Sequence, residues 1–390
     1  MSWPNARLSE VAKIVTGKTP STKEDANFGG DIPFVTPAEL DGKFDILQTP
    51  RTLTQRGADL VSVVPKNSVL VCCIGSLGKV GYAGVDLATN QQINTLLFNP
   101  KIVLPRYGYY AARRLKKDLE RIAPATTVKI VSKSLFSRLE IPIPPLEEQK
   151  RIASILDQTA ELVHLRQLTL DKIQSLSQSL FGEMFGEACD ASGNWRKAKI
   201  GDLIVDAQIG AVRGAREMSD EKPCEYLRMD SMGTDGSLSL EGLKRVDASA
   251  ADLSKYALRV GDFLLNTRNS QELVGKTAVL RKKFDGIYNN NILRCRFSDP
   301  ALGDYLDAFL RSRVGKGMLS NIKSGTTSVF AIYQKAFMGL SVPVPPKHLT
   351  EEFSRQIIQI EEQFQLYRES AEKLQMLSSS IESGAFKGEL

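Results

Sequence analysis

One short segment occurs twice in this chain, as Leu139-Glu140-Ile141-Pro142-Ile143-Pro144-Pro145 and, 201 residues later, as Leu340-Ser341-Val342-Pro343-Val344-Pro345-Pro346. A long segment follows each copy, and its apolar residues recur at alternating steps of three and four. This spacing is typical of a coiled coil, in which one seam of each helix faces a partner helix. We therefore predict two long helices with matching seams. The predicted seam residues are Ile152, Leu156, Val163, Leu170, Ile173, Leu180, Phe353, Ile357, Ile360, Phe364, Tyr367, Leu374 and Ile381.

A block of mixed composition precedes each helix, and the two blocks are loosely alike. Gly78-Lys79 matches Gly275-Lys276, and Asn90-Gln91-Gln92-Ile93 matches Asn289-Asn290-Asn291-Ile292. Short apolar runs between turn-forming residues predict strands at 61–64, 68–74, 80–83 and 93–98, and a helix at 107–122. The chain is thus predicted to be α+β, with α/β domains at 1–145 and 191–346 and helices at 146–190 and 347–390.

The direction of the two helices follows from their length. About 36 residues of helix span roughly 55 Å. A parallel pair would oblige the second block to run that distance back before the second helix starts. Antiparallel pairing avoids this, and it predicts two blocks at opposite ends of a rod, related by an approximate two-fold axis. A looser helical bundle remains the alternative, because Ser, Thr and Gln are frequent near the end of the first helix.

Charge is distributed unevenly along the chain. Residues 2–145 contain 19 Lys and Arg against 12 Asp and Glu, and residues 191–346 contain 23 against 17. The helical segments 146–190 and 347–390 instead carry net charges of −4 and −3. A polyanion is therefore expected on the blocks and not along the helices.

Residues typical of catalysis are scarce. With only His164 and His348, triads built on histidine and histidine-rich metal sites are excluded or nearly so. Gly17-Lys18-Thr19 resembles the end of a phosphate-binding loop, but Ala12 stands where that loop needs its first glycine. We predict no active site and no metal ion in this chain.

The remaining composition indicates the compartment. The five cysteines form no CxxC pair, which predicts reduced thiols, mostly buried. The first residues lack the apolar core of a signal peptide, and no apolar run approaches the roughly 18 residues of a membrane span. A cytoplasmic location is therefore expected.

Basic residues occur with small polar residues where turns are predicted. Arg and Lys neutralise phosphates, Arg is the usual bidentate partner of guanine, and Asn or Gln that of adenine. For each residue alone, ordinary solvation is the simpler interpretation, and the prediction rests on the basic blocks as a whole. The candidate DNA-binding residues are Lys18, Thr19, Arg51, Ser76, Lys79, Thr126, Thr127 and Lys129 in the first block, and Arg213, Arg216, Arg228, Arg268, Asn269, Lys276, Thr326 and Thr327 in the second.

The first junction, Ile141-Pro142-Ile143-Pro144-Pro145-Leu146-Glu147-Glu148-Gln149, resembles that of the specificity subunits of type I restriction–modification systems. Gly17-Lys18-Thr19-Pro20-Ser21 and Asn90-Gln91-Gln92-Ile93 support the resemblance, which covers essentially the whole chain. The second copy, Lys347-His348-Leu349-Thr350-Glu351-Glu352, departs from the pattern because it lacks the Leu-Glu-Glu-Gln of the first.

The resemblance implies a non-catalytic subunit. Each of two target-recognition domains would read one half of a bipartite double-stranded DNA target. The coiled coil would set the spacer and dock two methyltransferase subunits, and restriction subunits would complete the complex. S-adenosylmethionine, ATP and Mg would be bound by those partners. The alternatives are a coiled-coil scaffold and a stand-alone DNA-binding regulator.

Overall fold

The computed structural model describes residues 3–40, 45–124, 128–189, 195–325 and 328–389. The chain divides into two compact units. Unit 1 consists of Met1–Leu168 and Glu369–Leu390, and unit 2 consists of Thr169–Arg368. Among the helices of the described ranges, none combines the length and the apolarity that crossing a membrane requires.

Unit 1 contains three sheets within its described residues, and they are ordered β2-β10-β7-β8-β4, β5-β3-β9-β6 and β1-β11. The strands are β1 (Asn5–Arg7), β2 (Ala12–Thr16), β3 (Phe28–Val35), β4 (Asp45–Ile46), β5 (Thr52–Leu53), β6 (Val63–Val64), β7 (Val69–Cys72), β8 (Val80–Ala83), β9 (Leu87–Thr89), β10 (Ile93–Phe98) and β11 (Glu140–Pro142). The helices are α1 (Leu8–Val11), α2 (Gln55–Ala58), α3 (Pro105–Arg113), α4 (Lys116–Ile122), α5 (Lys133–Phe136) and the first part of α6 (Leu146–Cys189).

Unit 2 has its largest sheet in the order β13-β20-β16-β18, with smaller sheets β15-β14-β19, β17-β22-β21 and β12-β23. The strands are β12 (Lys197–Lys199), β13 (Ile204–Ile209), β14 (Cys224–Leu227), β15 (Lys244–Val246), β16 (Phe263–Asn266), β17 (Arg268–Asn269), β18 (Thr277–Val279), β19 (Ile287–Tyr288), β20 (Ile292–Phe297), β21 (Ser324–Gly325), β22 (Phe330–Ala331) and β23 (Ser341–Pro343). The helices are α7 (Ile200–Leu203), α8 (Ala250–Lys255), α9 (Ala301–Arg311), α10 (Arg313–Asn321), α11 (Gln334–Met338) and α12 (Lys347–Ala385), whose last part belongs to unit 1.

The predicted α+β class is confirmed, and the long helices are present as α6 and α12. The four predicted strands of the first block correspond to β6, β7, β8 and β10. The helix predicted at 107–122 is wrong in its continuity, because it is broken into α3 and α4. The amides of Arg114 and Leu115 donate to the carbonyls of Ala111 and Ala112, three residues earlier, so a tighter turn separates the two helices.

The two units share one backbone scaffold. In unit 1, β10 lies antiparallel between β2 and β7, and in unit 2, β20 lies antiparallel between β13 and β16. One parallel pair also recurs, β3 with β9 and β14 with β19. The amide of Gly17 donates to the carbonyl of Ile93 at 3.1 Å, and that of Gly210 donates to Ile292 at 3.2 Å. The loose sequence match between the blocks therefore reflects a structural repeat.

The core of unit 1 is completed by both long helices. Ile152 and Leu156, near the start of α6, are buried in it together with Ala385 at the end of α12 and Phe386 just beyond it. The ring of Phe386 lies 5.5 Å from that of Tyr107, measured between centroids. The start of one helix thus meets the end of the other.

The core of unit 2 is completed in the corresponding way. Phe353 and Ile357, near the start of α12, are buried in it together with Phe185 near the end of α6. The ring of Phe185 lies 5.2 Å from Tyr305 and 5.1 Å from Phe353. In each unit the helices therefore pack antiparallel, as predicted, and all thirteen predicted seam residues are buried or half-buried.

The proline-rich junctions attach each helix to the block before it. The Tyr107 hydroxyl donates to the Pro142 carbonyl at 2.8 Å, and the Tyr305 hydroxyl donates to the Pro343 carbonyl at 2.9 Å. In unit 1 a buried glutamine, Gln149, adds three further bonds. Its amide nitrogen donates to the carbonyls of Ile102 and Pro144, and its oxygen accepts from the amide of Leu104. The first turn of α6 is thereby fixed to the block.

Candidate nucleic-acid interface

Four loop segments of unit 1 form one connected surface. The Thr19 hydroxyl donates to the side-chain oxygen of Gln91 at 2.7 Å. The side-chain nitrogen of Gln92 donates to the Ile74 carbonyl at 3.3 Å. The Gly75 amide donates to the Lys129 carbonyl at 2.9 Å. We call the segments 17–19, 74–76 and 90–92, together with Lys129, loop surface 1. It contains the predicted candidates Lys18, Thr19, Ser76 and Lys129. Thr19 is half-buried, and the other three are exposed.

A glycine makes this arrangement of loops possible. A Cβ atom at Gly17 would lie 2.3 Å from the Asn90 carbonyl oxygen, and one at Gly210 would lie 2.4 Å from the Asn289 carbonyl oxygen. Both distances are far below any real carbon–oxygen contact. The turn after β9 can therefore approach residue 17 only if that residue has no side chain, and the same holds for the turn after β19 and residue 210.

Two other candidates of unit 1 interact within the protein. The ammonium of Lys79 donates to the Pro37 carbonyl at 3.1 Å. The guanidinium of Arg51 lies 3.9 Å from the centroid of the Phe28 ring, at cation–π distance. Lys79 thus holds the loop after β3, and its predicted contact with DNA competes with this internal bond.

Three candidates of unit 2 are also engaged internally. Arg213 forms an ion pair with Asp252 at 3.0 Å, and Arg228 forms one with Asp230 at 3.1 Å. The ammonium of Lys276 donates to the Met229 carbonyl at 3.0 Å, and burial lowers its pKa. Lys276 occupies the position of Lys79 in the repeat, so both lysines hold the same loop of the scaffold.

The remaining described candidates of unit 2 are Arg216, Arg268 and Asn269. Arg216 and Arg268 are exposed, and Asn269 accepts a hydrogen bond from the Ser270 amide at 2.9 Å. Arg268 borders a recess of about 290 Å³. We call the residues around this recess loop surface 2: Ile209, Thr267, Arg268, Asn290, Asn291, Ala331, Ile332, Tyr333 and Gln334.

Some residues of loop surface 2 were not among the sequence candidates. Asn290 and Asn291 belong to the repeated motif and could have been found, because they correspond to Gln91 and Gln92 of loop surface 1. Tyr333 is 61% exposed, and no sequence pattern marked it as a binding residue. Four predicted threonines lie outside the described residues: Thr126, Thr127, Thr326 and Thr327.

The chemistry available at these surfaces is recognition by hydrogen bonds and charge. Within the described residues, no cluster of three or more His, Cys, Asp or Glu side chains could hold a metal ion. Burial raises the pKa of Cys73 and that of Cys295 to about 12, which leaves both thiols protonated and unreactive at neutral pH. Lysine, arginine and amide side chains on loops suit contacts to phosphates and base edges.

Comparisons with known proteins agree with this chemistry. The family described as "Type I restriction modification DNA specificity domain" matches residues 2–175. The EcoKI specificity subunit of Escherichia coli is 23% identical, over the whole of this chain and 89% of that protein. The MjaVIII specificity subunit of Methanocaldococcus jannaschii is also 23% identical, over 97% of this chain and 91% of that protein.

Solved structures show the same fold. An S subunit of a type I restriction–modification system from M. genitalium superposes with a TM-score of 0.60 at 15% identity, covering 99% of this chain and 96% of its own. A chain from a structure of the type I R-M system, described in terms of complex assembly and conformational transition, gives 0.58 at 18% identity, covering 100% and 98%. Residues 2–175 thus belong to the family of type I restriction–modification DNA specificity domains, and the whole chain resembles type I specificity subunits in sequence and fold.

Proposed function

We propose that each unit reads one half of a bipartite DNA target, with loop surfaces 1 and 2 facing the duplex. The long helices would set the spacer between the halves and dock two methyltransferase subunits, which restriction subunits would join for cleavage. The chain would contribute no catalytic group of its own, and S-adenosylmethionine, ATP and Mg would be bound by the partner subunits. The scaffold repeated in the two units carries this proposal.

The repeat supports two readers because it places equivalent loops at equivalent ends of two sheets. Asn90 and Asn289 make the same turn, in which the side-chain oxygen accepts from the amide two residues later, at 3.1 Å in both units. A scaffold held by backbone bonds tolerates different side chains on its loops. Two domains of this kind can therefore read two unrelated half-targets.

The long helices offer equivalent surfaces for two partner subunits. Leu165 of α6 and Leu366 of α12 are 201 residues apart, and both are at least half exposed. Leu176, 47% exposed, and Leu377, 55% exposed, form a second pair at the same spacing. Exposed leucines at repeated positions favour protein contacts, since scattered apolar residues would not follow the repeat. We assign Leu165 and Leu176 of α6 to one methyltransferase subunit, and Leu366 and Leu377 of α12 to the other.

The docking proposal is tested by counting bound subunits. The chain is co-expressed with the methyltransferase of the same host, and the mass of the complex is measured under native conditions. Leu165→Glu and Leu366→Glu should each reduce two bound subunits to one, and the double variant should bind none. A scaffold or a stand-alone regulator would bind no methyltransferase in any of these forms.

A matched control comes from the other flank of the same helix. Gln167 is exposed, and at 100° per residue it projects well away from Leu165. Gln167→Glu introduces the same charge and should leave two subunits bound. If the leucine variants also keep two subunits, the helices do not dock their partners through these residues.

A further inference from the structure

Arg268 is a cation whose side chain is not committed to the fold. It lies in β17, two residues beyond the end of β16, and its backbone pairs with Ala331 of β22. Its side chain is exposed and forms no hydrogen bond or ion pair with any residue that the structure describes. Arg213 and Arg228, by contrast, are paired with carboxylates. All N–H donors of the Arg268 guanidinium therefore remain available to a ligand.

The surroundings of Arg268 suit the edge of a base pair. The recess beside it is bordered by the amides of Asn290, Asn291 and Gln334. The side-chain nitrogens of Asn291 and Gln334 reach only methionine sulfurs, at 3.6 and 3.8 Å. Such contacts are weak, so these donors can turn towards a stronger acceptor. Guanidinium and amide groups are the side chains that bind base edges in the major groove.

The equivalent place in unit 1 has different chemistry. Ile74 stands at the position of Arg268, and it pairs with Ile130 as Arg268 pairs with Ala331. Gln92 there donates to the Ile74 carbonyl, and Gln91 accepts from Thr19. The amides of loop surface 1 are therefore engaged with the protein, and no arginine accompanies them at this position. At this position the scaffold presents a free arginine in unit 2 and an isoleucine in unit 1.

We propose that Arg268 is a specificity-determining residue of unit 2, and that its guanidinium reads the guanine of one G·C pair through O6 and N7. This inference rests on the proposed function, because it assigns one contact within the half-target of unit 2. A bidentate arginine–guanine contact depends on the planar fork of the guanidinium, which lysine lacks. The remaining positions of the target would be read by other side chains.

The test compares adenine methylation across the host genome for the natural chain, Arg268→Ala and Arg268→Lys, each in the complete complex. Exchange of residues 1–138 first identifies the half-target that belongs to unit 2. Both variants should lose the preference for G·C at one position of that half and keep every other preference. Methylation of the original target should fall on the order of 10- to 100-fold for Arg268→Ala.

Arg259→Ala is the matched control. Arg259 is exposed in the same unit, but it precedes β16, at the opposite end of that strand from Arg268. Its removal should leave the target and the methylation level unchanged. Thermal unfolding of all variants within about 2 °C of the natural chain shows that the exposed substitutions leave the fold intact.

The other results overturn the inference. Uniformly weaker methylation with all base preferences kept, or full G·C preference in Arg268→Lys, would make Arg268 a phosphate contact. Relaxation at an A·T position would exclude guanine, and an unchanged target would exclude any base contact. Failure of the proposed function looks different, because the natural complex itself would then methylate no bipartite target.

Discussion

Units 1 and 2 use the same scaffold but differ in the side chains that their loops present. The shared part consists of backbone bonds, such as those of Gly17 to Ile93 and of Gly210 to Ile292. The different part consists of side chains, an isoleucine at Ile74 and an arginine at Arg268. Because the scaffold does not depend on those side chains, the recognised sequence can change without loss of the fold. The comparison therefore separates the residues that build a reader from the residues that read.

The two units also differ in how their cores are closed. In unit 2, Phe185 packs against Tyr305, Phe353 and Phe181. In unit 1, the equivalent residue Phe386 lies just beyond the end of α12. Unit 2 therefore has the more aromatic junction with the helices.

The largest expected effect comes from removing these equivalent rings. Phe185→Ala should lower the free energy of unfolding of unit 2 by about 3–5 kcal/mol, because it opens a cavity among aromatic side chains. Phe386→Ala should cost unit 1 less, about 2 kcal/mol, because the Phe386 ring packs against Tyr107 whereas the Phe185 ring packs among several aromatic rings. Chemical denaturation, monitored in each unit by hydrogen exchange, measures both losses in the free energy of unfolding. Equal losses would contradict the difference in core closure.

A buried ion pair gives the next effect. Arg281 pairs with Asp304, whose side chain is only 4% exposed, and with Glu361 of α12 at 2.5 Å. Arg281→Ala should destabilise unit 2 by about 3 kcal/mol, because Asp304 is left buried without its cationic partner.

Unit 1 provides the matched control for this ion pair. Arg106 bridges Asp45 and Asp157 at 2.5 and 2.7 Å, and both carboxylates are more than one third exposed. Arg106→Ala should therefore cost only about 1 kcal/mol, since water can solvate them. Urea denaturation of both variants measures the difference, and a larger loss for Arg106→Ala would reverse the comparison.

The two glycines at the reading loops should behave alike. Gly17→Ala and Gly210→Ala each force a methyl group against a carbonyl oxygen, and each should cost about 2 kcal/mol. The amides of residues 90–93 or 289–292 should then exchange faster in the affected unit alone. Loss of protection in only one of the two variants would show that the scaffolds are less alike than their backbone bonds indicate.

The smallest effect distinguishes an internal bond from a DNA contact. Lys79→Met and Lys276→Met should each lower the free energy of unfolding by about 1 kcal/mol, because the carbonyl of Pro37 or of Met229 loses its donor. The salt dependence of DNA binding by the complex should stay the same, since each ammonium of the natural chain is bound to a carbonyl and does not neutralise a phosphate. A slope reduced by about one ion would instead restore both lysines as phosphate contacts.

The repeated junctions made much of this fold predictable from the sequence. The two long helices and their antiparallel direction followed from heptad spacing and chain geometry, which are local or topological properties. The break between α3 and α4 did not follow, because it depends on two carbonyl bonds at Arg114 and Leu115 and carries no proline. The second junction departs from the family pattern at Thr350, which is equivalent to Gln149. Gln149 makes three hydrogen bonds to the block, whereas the Thr350 hydroxyl donates to the Lys347 carbonyl.

The candidate interface was less predictable. Sequence placed Arg213, Arg228, Arg268 and Lys276 in one class, because each is basic and near a predicted turn. Whether a cation is free depends on a carboxylate or carbonyl far away in the chain, such as Asp252 for Arg213. Only the folded structure brings those partners together, so only the structure distinguishes Arg268 from Arg213, Arg228 and Lys276.

The central claim is that the two units read DNA independently on a common scaffold. The direct test replaces residues 1–138 with the corresponding block of another specificity subunit and sequences methylated adenines in the host. One half of the bipartite target should change, while the other half and the spacer length stay the same. A change in both halves would contradict independent reading.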